Sequence, residues 1–303
     1  MKRQNDFGFG NQTGKLQNNR RRLNKDGSFN ILRRGIGQLE LDFYQELILM
    51  SWTRFFIVLL LFYAMVNSLF ALLYMAVGIE NLSGAVEDER MSSFWDAFYF
   101  SVQTLTTVGY GSLSPQGFET NLVAALGAFT GLLSFALATG LLFARFSRPN
   151  AKILFSEKAI IAPYKDDRKS FQLRIVNKRR NILTDIRASL MITWTEDNRQ
   201  HYGHLKLEQD FLHFFPLNWT IVHPINKDSP LYNWTAETMT QNRAEFLVVI
   251  QGYDDTFSNK VRTQSSYYWN EIAWNKRFVP MYYINEEGYT VLEIGKLSRL
   301  SAA

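Results

Sequence analysis

Ser101-Val102-Gln103-Thr104-Leu105-Thr106-Thr107-Val108-Gly109-Tyr110-Gly111 decides the fold because of what lies on either side of it. Ahead of it Phe55 to Ile79, and behind it Thr120 to Ala144, each run 25 residues without a charged side chain. About 20 apolar residues suffice to span a bilayer. Residues 92–105 are amphipathic and too polar to span, which suits a helix that enters the membrane and turns back. Non-helical backbone at that depth is tolerated only where protein buries it or water lines it. Taken alone, the last five residues are an ordinary glycine-rich turn; between two spans they predict the wall of an aqueous path.

Thr107-Val108-Gly109-Tyr110-Gly111 resembles the selectivity filter of potassium channels, in which stacked backbone carbonyl oxygens replace the hydration shell of the ion. The resemblance implies K+ held at Thr107, Val108, Gly109 and Tyr110. Gly109 and Gly111 lack a Cβ and reach dihedrals closed to other residues, so successive carbonyls can point toward one axis. The Thr107 hydroxyl adds an oxygen at the inner end, and Val108 and Tyr110 are expected to point away from the axis. One chain supplies one side of such a cage, so a cyclic homotetramer is expected.

Composition divides the 303 residues into two regions. Residues 53–148 read as a transmembrane pore domain, with spans at 53–79 and 118–147, a pore helix at 92–105 and the filter at 107–111. No signal peptide is expected, because the first 50 residues are polar and basic and the first apolar stretch has full spanning length. Arg20, Arg21, Arg22, Lys25, Arg33, Arg34 and Arg54 precede the first span, and Arg145, Arg148 and Lys152 follow the second. The positive-inside rule then predicts a multi-pass protein with both termini in the cytoplasm. Between the spans Glu80, Glu87, Asp88, Glu89 and Asp96 face a single Arg90, as suits an outer mouth that attracts cations. The net charge of +5 sits beside the spans, so anionic lipid rather than nucleic acid is the expected partner. There is no cysteine, hence no disulfide, thiolate nucleophile or thiolate metal site.

Residues 1–36, rich in Asn, Gln, Gly and Arg, predict a disordered basic N-terminus. Over 37–52, Leu41, Tyr44, Leu47 and Ile48 with Asp42, Gln45 and Glu46 predict an amphipathic helix on the inner membrane surface. From 149 to 300 the period changes to two. Phe171, Leu173 and Ile175 alternate with Gln172 and Arg174, Ala188 to Trp194 alternate likewise, and Phe246 to Ile250 is a buried run. Short strands at this spacing predict a β-sandwich. No GxGxxG stands at a strand-to-helix turn. His201, His204, His213 and His223 form no paired metal-ligand motif, so an enzyme is not expected.

The run Thr139-Gly140-Leu141-Leu142-Phe143-Ala144-Arg145-Phe146-Ser147-Arg148-Pro149 closely resembles the inner-helix exit of inward-rectifier potassium channels, bacterial ones in particular. Trp219-Thr220-Ile221-Val222-His223-Pro224-Ile225, Ser229-Pro230-Leu231, Gln264-Ser265-Ser266-Tyr267 and Glu271-Ile272-Ala273-Trp274 carry the same likeness, in unbroken order over residues 38 to 295. The resemblance implies two transmembrane helices with a re-entrant pore helix and filter, then an immunoglobulin-like cytoplasmic β-domain, as a homotetramer in a bacterial inner membrane. It implies K+ as permeant ion and no cofactor. It makes Gly131 a hinge, Phe135 and Thr139 cavity residues and Phe143 the bundle-crossing gate; these three recur every four residues, so they share a helix face. It sets Arg54, Arg145 and Arg148, with Lys152 nearby, against anionic headgroups, and puts Gln251 and Gly252 on a loop that narrows the cytoplasmic pore. Plain positive-inside anchoring would need the same basic residues.

Four positions depart from the family pattern. Phe135 and Gln251 stand where strongly rectifying members carry acids, which predicts weak block by internal polycations. Gln103 stands where the family has a Glu bracing the filter, and Ser112 where many potassium channels have Asp. The alternative from another class is a non-conducting membrane sensor or scaffold on the same fold, which would have no use for strained glycines.

Overall fold

The computed structural model describes residues 8, 21–32, 43–85, 90–147, 151–166, 168–197 and 199–302. The chain forms two compact units, one from residues 35–148 and one from residues 1–34 with 149–303.

In the first unit a short helix, α1 (Phe43–Leu49), occupies part of the expected interfacial stretch; residues 37–42 lie outside the described residues. Helix α2 (Trp52–Val77) starts where the Ser51 hydroxyl accepts from the Arg54 amide and stops at Gly78, whose φ of 114° no side-chain-bearing residue adopts cheaply. Strand β1 (Leu82–Ser83) follows, then α3 (Arg90–Leu105), β2 (Ser114–Pro115) and α4 (Gly117–Phe146). β1 and β2 pair antiparallel, and the Gln116 amide donates to Asn81 O at 2.8 Å, so the chain leading into α4 is tied to the chain after α2.

Helices α2 and α4 have mean hydropathies of 2.4 and 1.9, yet only 22% and 11% of their most apolar stretches are buried. Helices so apolar and so little covered need an apolar surrounding, which a bilayer supplies. The small core of this unit gathers Val66, Phe70, Ala71 and Tyr74 of α2, Leu82, and Ala97, Phe100 and Leu105 of α3. One polar link lies within it. Asn67 is fully buried, donates to Tyr63 O at 2.8 Å and accepts from the Ser101 hydroxyl at 3.0 Å, so neither amide nor hydroxyl is left unsatisfied in an apolar setting.

The second unit carries β3 (Ile153–Phe155), β4 (Ala159–Pro163), β5 (Lys169–Asn177), β6 (Leu183–Glu196), β7 (Arg199–Leu205), β8 (Phe211–Phe214) and β9 (Asn218–Ile225). Helix α5 (Ala236–Gln241) precedes β10 (Glu245–Asp254), β11 (Asn259–Tyr268), β12 (Ile272–Trp274), β13 (Lys276–Phe278), β14 (Tyr282–Ile284), β15 (Thr290–Leu292) and β16 (Leu300–Ala302). One five-stranded sheet runs β11-β10-β6-β7 with β8 also on β6; the other runs β12-β4-β5-β3 with β9 also on β5. Among the described residues only the β12–β4 pair is parallel. The inward residues of both sheets share one core, in which Phe171 of β5 stacks on Phe246 of β10 at 4.2 Å between ring centres.

The basic N-terminus departs from the expected disorder at residues 21–32. Leu23 and Phe29 bridge as a tight hairpin, and Leu23 is buried against the second unit. Composition misses this because the contacts are polar and long-range rather than apolar and local. The rest of the 1–36 stretch, Gly8 apart, lies outside the described residues.

Candidate functional site

Helix α3 ends irregularly: the Thr106 amide donates to Val102 O at 3.0 Å as in a regular helix, Thr107 to Thr104 O at 3.1 Å in a tighter turn and Val108 to Gln103 O at 3.0 Å in a wider one. Beyond it the backbone takes positive φ at every second residue, 59° at Thr107, 55° at Gly109 and 82° at Gly111. Alternation of negative and positive φ is the backbone pattern by which successive carbonyls of an extended segment can be brought to one side of it, unlike the alternating carbonyls of a regular strand. A Cβ built on Gly109 or Gly111 meets nothing within 4 Å, so glycine is needed there for φ and not for space. Thr107 is the informative member, since a β-branched residue at positive φ is strained and such strain gathers at functional sites. Val108 and Tyr110 are exposed in the single chain, at 52% and 79%.

Glycine has a different job in α4. A Cβ on Gly131 would lie 2.1 Å from the Leu105 carbonyl oxygen, so α4 passes the end of α3 at backbone contact. The residue expected as a hinge sits inside an uninterrupted α4, and what the structure shows for it is this close approach. Gly84 does the same beside the chain that follows residue 111, where a Cβ would meet Ser112 O at 2.2 Å. The Gln103 Oε1 atom is buried without a hydrogen-bond partner among the described residues.

Phe135, Thr139 and Phe143 lie four residues apart on one exposed face of α4; Phe143 is 72% exposed. Of the basic residues expected on headgroups, Arg54 and Lys152 are exposed and Arg148 lies outside the described residues. Arg145 differs. It is buried, its Nη1 donates to Leu47 O and, at 3.1 Å, to Ile48 O, and its Nη2 donates to Met50 O at 2.8 Å. The guanidinium lies 4.5 Å from the ring centres of both Trp52 and Phe55. It therefore caps the open carbonyl end of α1 and stacks on the start of α2.

In the β unit, Gln251 and Gly252 are not on a loop. They lie within β10 where its register with β6 shifts between Gln251 and Tyr253, and a Cβ on Gly252 would fall 2.8 Å from Ile186 Cδ1. A bulge here is unreadable from a run that is otherwise regular strand. The register also reveals a feature the sequence hides: Gln251 pairs with Arg187 of β6 on one side and Arg262 of β11 on the other, and all three are exposed. His223 is buried, its Nδ1 2.6 Å from Lys206 O and its Nε2 2.7 Å from Ser229 Oγ; burial holds its pKa below 6.5. It is a satisfied core residue, and no cluster of metal-ligating side chains occurs among the described residues.

Comparison with known proteins covers both units. The inward rectifier potassium channel C-terminal domain model matches residues 153–301, and an ion channel model matches residues 47–148. The inward rectifier potassium channel Kirbac3.1 of Paramagnetospirillum magnetotacticum is 35% identical over 92% of this chain and 95% of its own length. The inward rectifier potassium channel irk-1 of Caenorhabditis elegans is 28% identical over 62% of this chain and 37% of its own length. The G protein-activated inward rectifier potassium channel 4 of Bos taurus is 26% identical over 67% of this chain and 52% of its own length. With both units matched in order and a relative aligned almost end to end, the chain belongs to the inward rectifier potassium channel family, whose members are ion channels and not enzymes.

Proposed function

We propose that four copies of this chain surround one axis and conduct K+ passively through carbonyls of Thr107, Val108, Gly109 and Tyr110, with Gly111 closing the filter. The observation that carries this is the alternation of positive φ at Thr107, Gly109 and Gly111 directly after a helix that lies between two spans. Exposure of Val108 and Tyr110 in the single chain fits a filter completed by neighbouring copies. Phe143 is the gate and Phe135 and Thr139 line the cavity, since their shared exposed face is the one free to turn toward an axis. A ring of Phe at that level closes a pore by dewetting.

Both termini lie in the cytoplasm of a bacterial cell, and Arg54, Arg148 and Lys152 meet anionic phospholipid, each charge contributing about 1 kcal/mol near such a surface. Arg145 acts instead as the staple between α1 and α4. Block by internal polycations is weak, because Phe135 is apolar and Gln251 sits between two guanidinium groups in the sheet register. The test is rubidium uptake into liposomes holding the purified tetramer, with and without anionic lipid. Uptake blocked by barium and outcompeted by potassium but not sodium is expected; a tetramer that passes no rubidium in any lipid overturns the reading.

A further inference from the structure

Helix α2 carries a single carboxamide, Asn67, well inside its 26 residues. A polar side chain at membrane depth is costly and is retained where it is used. Asn67 and Ser101 of α3 are both fully buried; the Ser101 hydroxyl donates to Asn67 Oδ1 at 3.0 Å, and Asn67 Nδ2 donates to Tyr63 O at 2.8 Å. A hydroxyl inside a helix commonly returns to the carbonyl four residues back, as Thr106 does to Val102 O at 2.6 Å and Thr130 to Leu126 O at 2.7 Å. Ser101 crosses to another helix instead. Around it Val66, Phe70, Tyr74, Ala97 and Phe100 make apolar contacts, which hold α2 and α3 together without fixing how far one slides or turns on the other. The hydrogen bond does fix this, because its geometry is directional.

The bond falls in the last turns of α3, to which the start of the proposed filter is fastened. The carbonyls of Gln103 and Thr104 accept from the amides of Val108 at 3.0 Å and Thr107 at 3.1 Å. Close by, the Leu105 carbonyl abuts Gly131 of α4. Asn67 therefore holds from α2 the same end of α3 that α4 bounds, and a slide or rotation of α3 carries residues 107 and 108 with it.

We infer that Asn67 is a positioning residue for ion selection: through Ser101 it fixes the end of α3, and hence where the carbonyls of Thr107 and Val108 meet the ion. The inference rests on the conduction reading above. The experiment records reversal potentials of the purified full-length tetramer with potassium on one side and sodium on the other, alongside native mass spectrometry. Ser101→Ala, which removes one oxygen atom, and Asn67→Leu, which keeps a side chain of similar size, each lower the potassium-to-sodium permeability ratio about threefold or more, the factor an average interhelical hydrogen bond in a bilayer supports. The tetramer survives in both. The double variant falls no further than the worse single one, and the exchange Asn67→Ser with Ser101→Asn, which again sets a hydroxyl against an amide, recovers the wild-type ratio. A bond that only held the fold together would change the amount of tetramer and leave the ratio alone. An unchanged ratio in both single variants, losses that add in the double variant, or loss of tetramer with the ratio kept overturns the inference. A reversal potential near zero in the conducting wild type overturns the conduction reading instead.

Discussion

The two units use the same residue types in opposite ways. In the β unit the rings of Phe171 and Phe246 meet inside a core, whereas in the helical unit Phe56, Phe62, Phe129 and Phe135 stand exposed. Water drives the first arrangement, but lipid tails give apolar helices no comparable reason to associate. The helical unit is ordered instead by backbone contact at Gly131, by the Asn67–Ser101 hydrogen bond and by the Arg145 cap. Under the proposed function ion binding likewise falls to backbone, at Thr107 to Gly111, while the β unit presents charged side chains, Arg187 and Arg262, at its sheet surface.

The largest effect that sharpens this contrast is expected at Gly109. The Gly109→Ala change meets no steric neighbour within its own chain and is opposed there by φ; we expect selective rubidium uptake to disappear while the tetramer, measured by native mass spectrometry, survives. The matching change in the β unit, Phe246→Ala, costs about 3–5 kcal/mol by cavity formation and lowers the melting temperature of the full chain. Retained selectivity in Gly109→Ala, or an unshifted melt in Phe246→Ala, would break the comparison.

A subtler test concerns the charge of the sheet surface. Arg187→Glu with Arg262→Glu reverses the row around Gln251, and voltage ramps are expected to show spermine block strengthened about tenfold relative to wild type, given how steeply close like and unlike charges separate in energy. Unchanged block would remove that face from the ion path. Arg145→Gln is expected to alter uptake to the same degree in neutral and anionic liposomes, whereas Arg54→Ala acts in anionic liposomes only. Equal lipid dependence of the two variants would return Arg145 to the headgroups.

The smallest effect is a pH dependence confined to the β unit. Burial holds the folded His223 pKa below its unfolded value of 6.5, so on acidification the unfolded chain takes up a proton first. The stabilisation is present above pH 6.5 and is lost as pH falls through the lower folded value. Thermal melts of wild type against His223→Gln should diverge less at pH 5 than at pH 8.

Much of the helical unit is legible in the sequence because bilayer spanning imposes a simple rule, an uncharged run of sufficient length. The runs read as 53–79 and 118–147 are occupied by α2, Trp52–Val77, and α4, Gly117–Phe146. Glycines at 109 and 111 announce positive φ, but Thr107 does not, because its strain is imposed by the turn that closes α3. The N-terminal hairpin around Leu23 and Phe29, the bulge at Gly252 and the carbonyl-capping role of Arg145 are not legible. Each depends on a partner far away in the chain: Glu245 for Arg22, Ile186 for Gly252, and the carbonyls of α1 for Arg145.

The most direct test of the central claim is the reversal potential of the purified tetramer in a planar bilayer with potassium on one side and sodium on the other. A reversal potential displaced strongly toward the potassium equilibrium value, and abolished in Gly109→Ala, is the predicted result. A reversal potential near zero in a conducting wild-type channel would contradict selection by the backbone of residues 107–111.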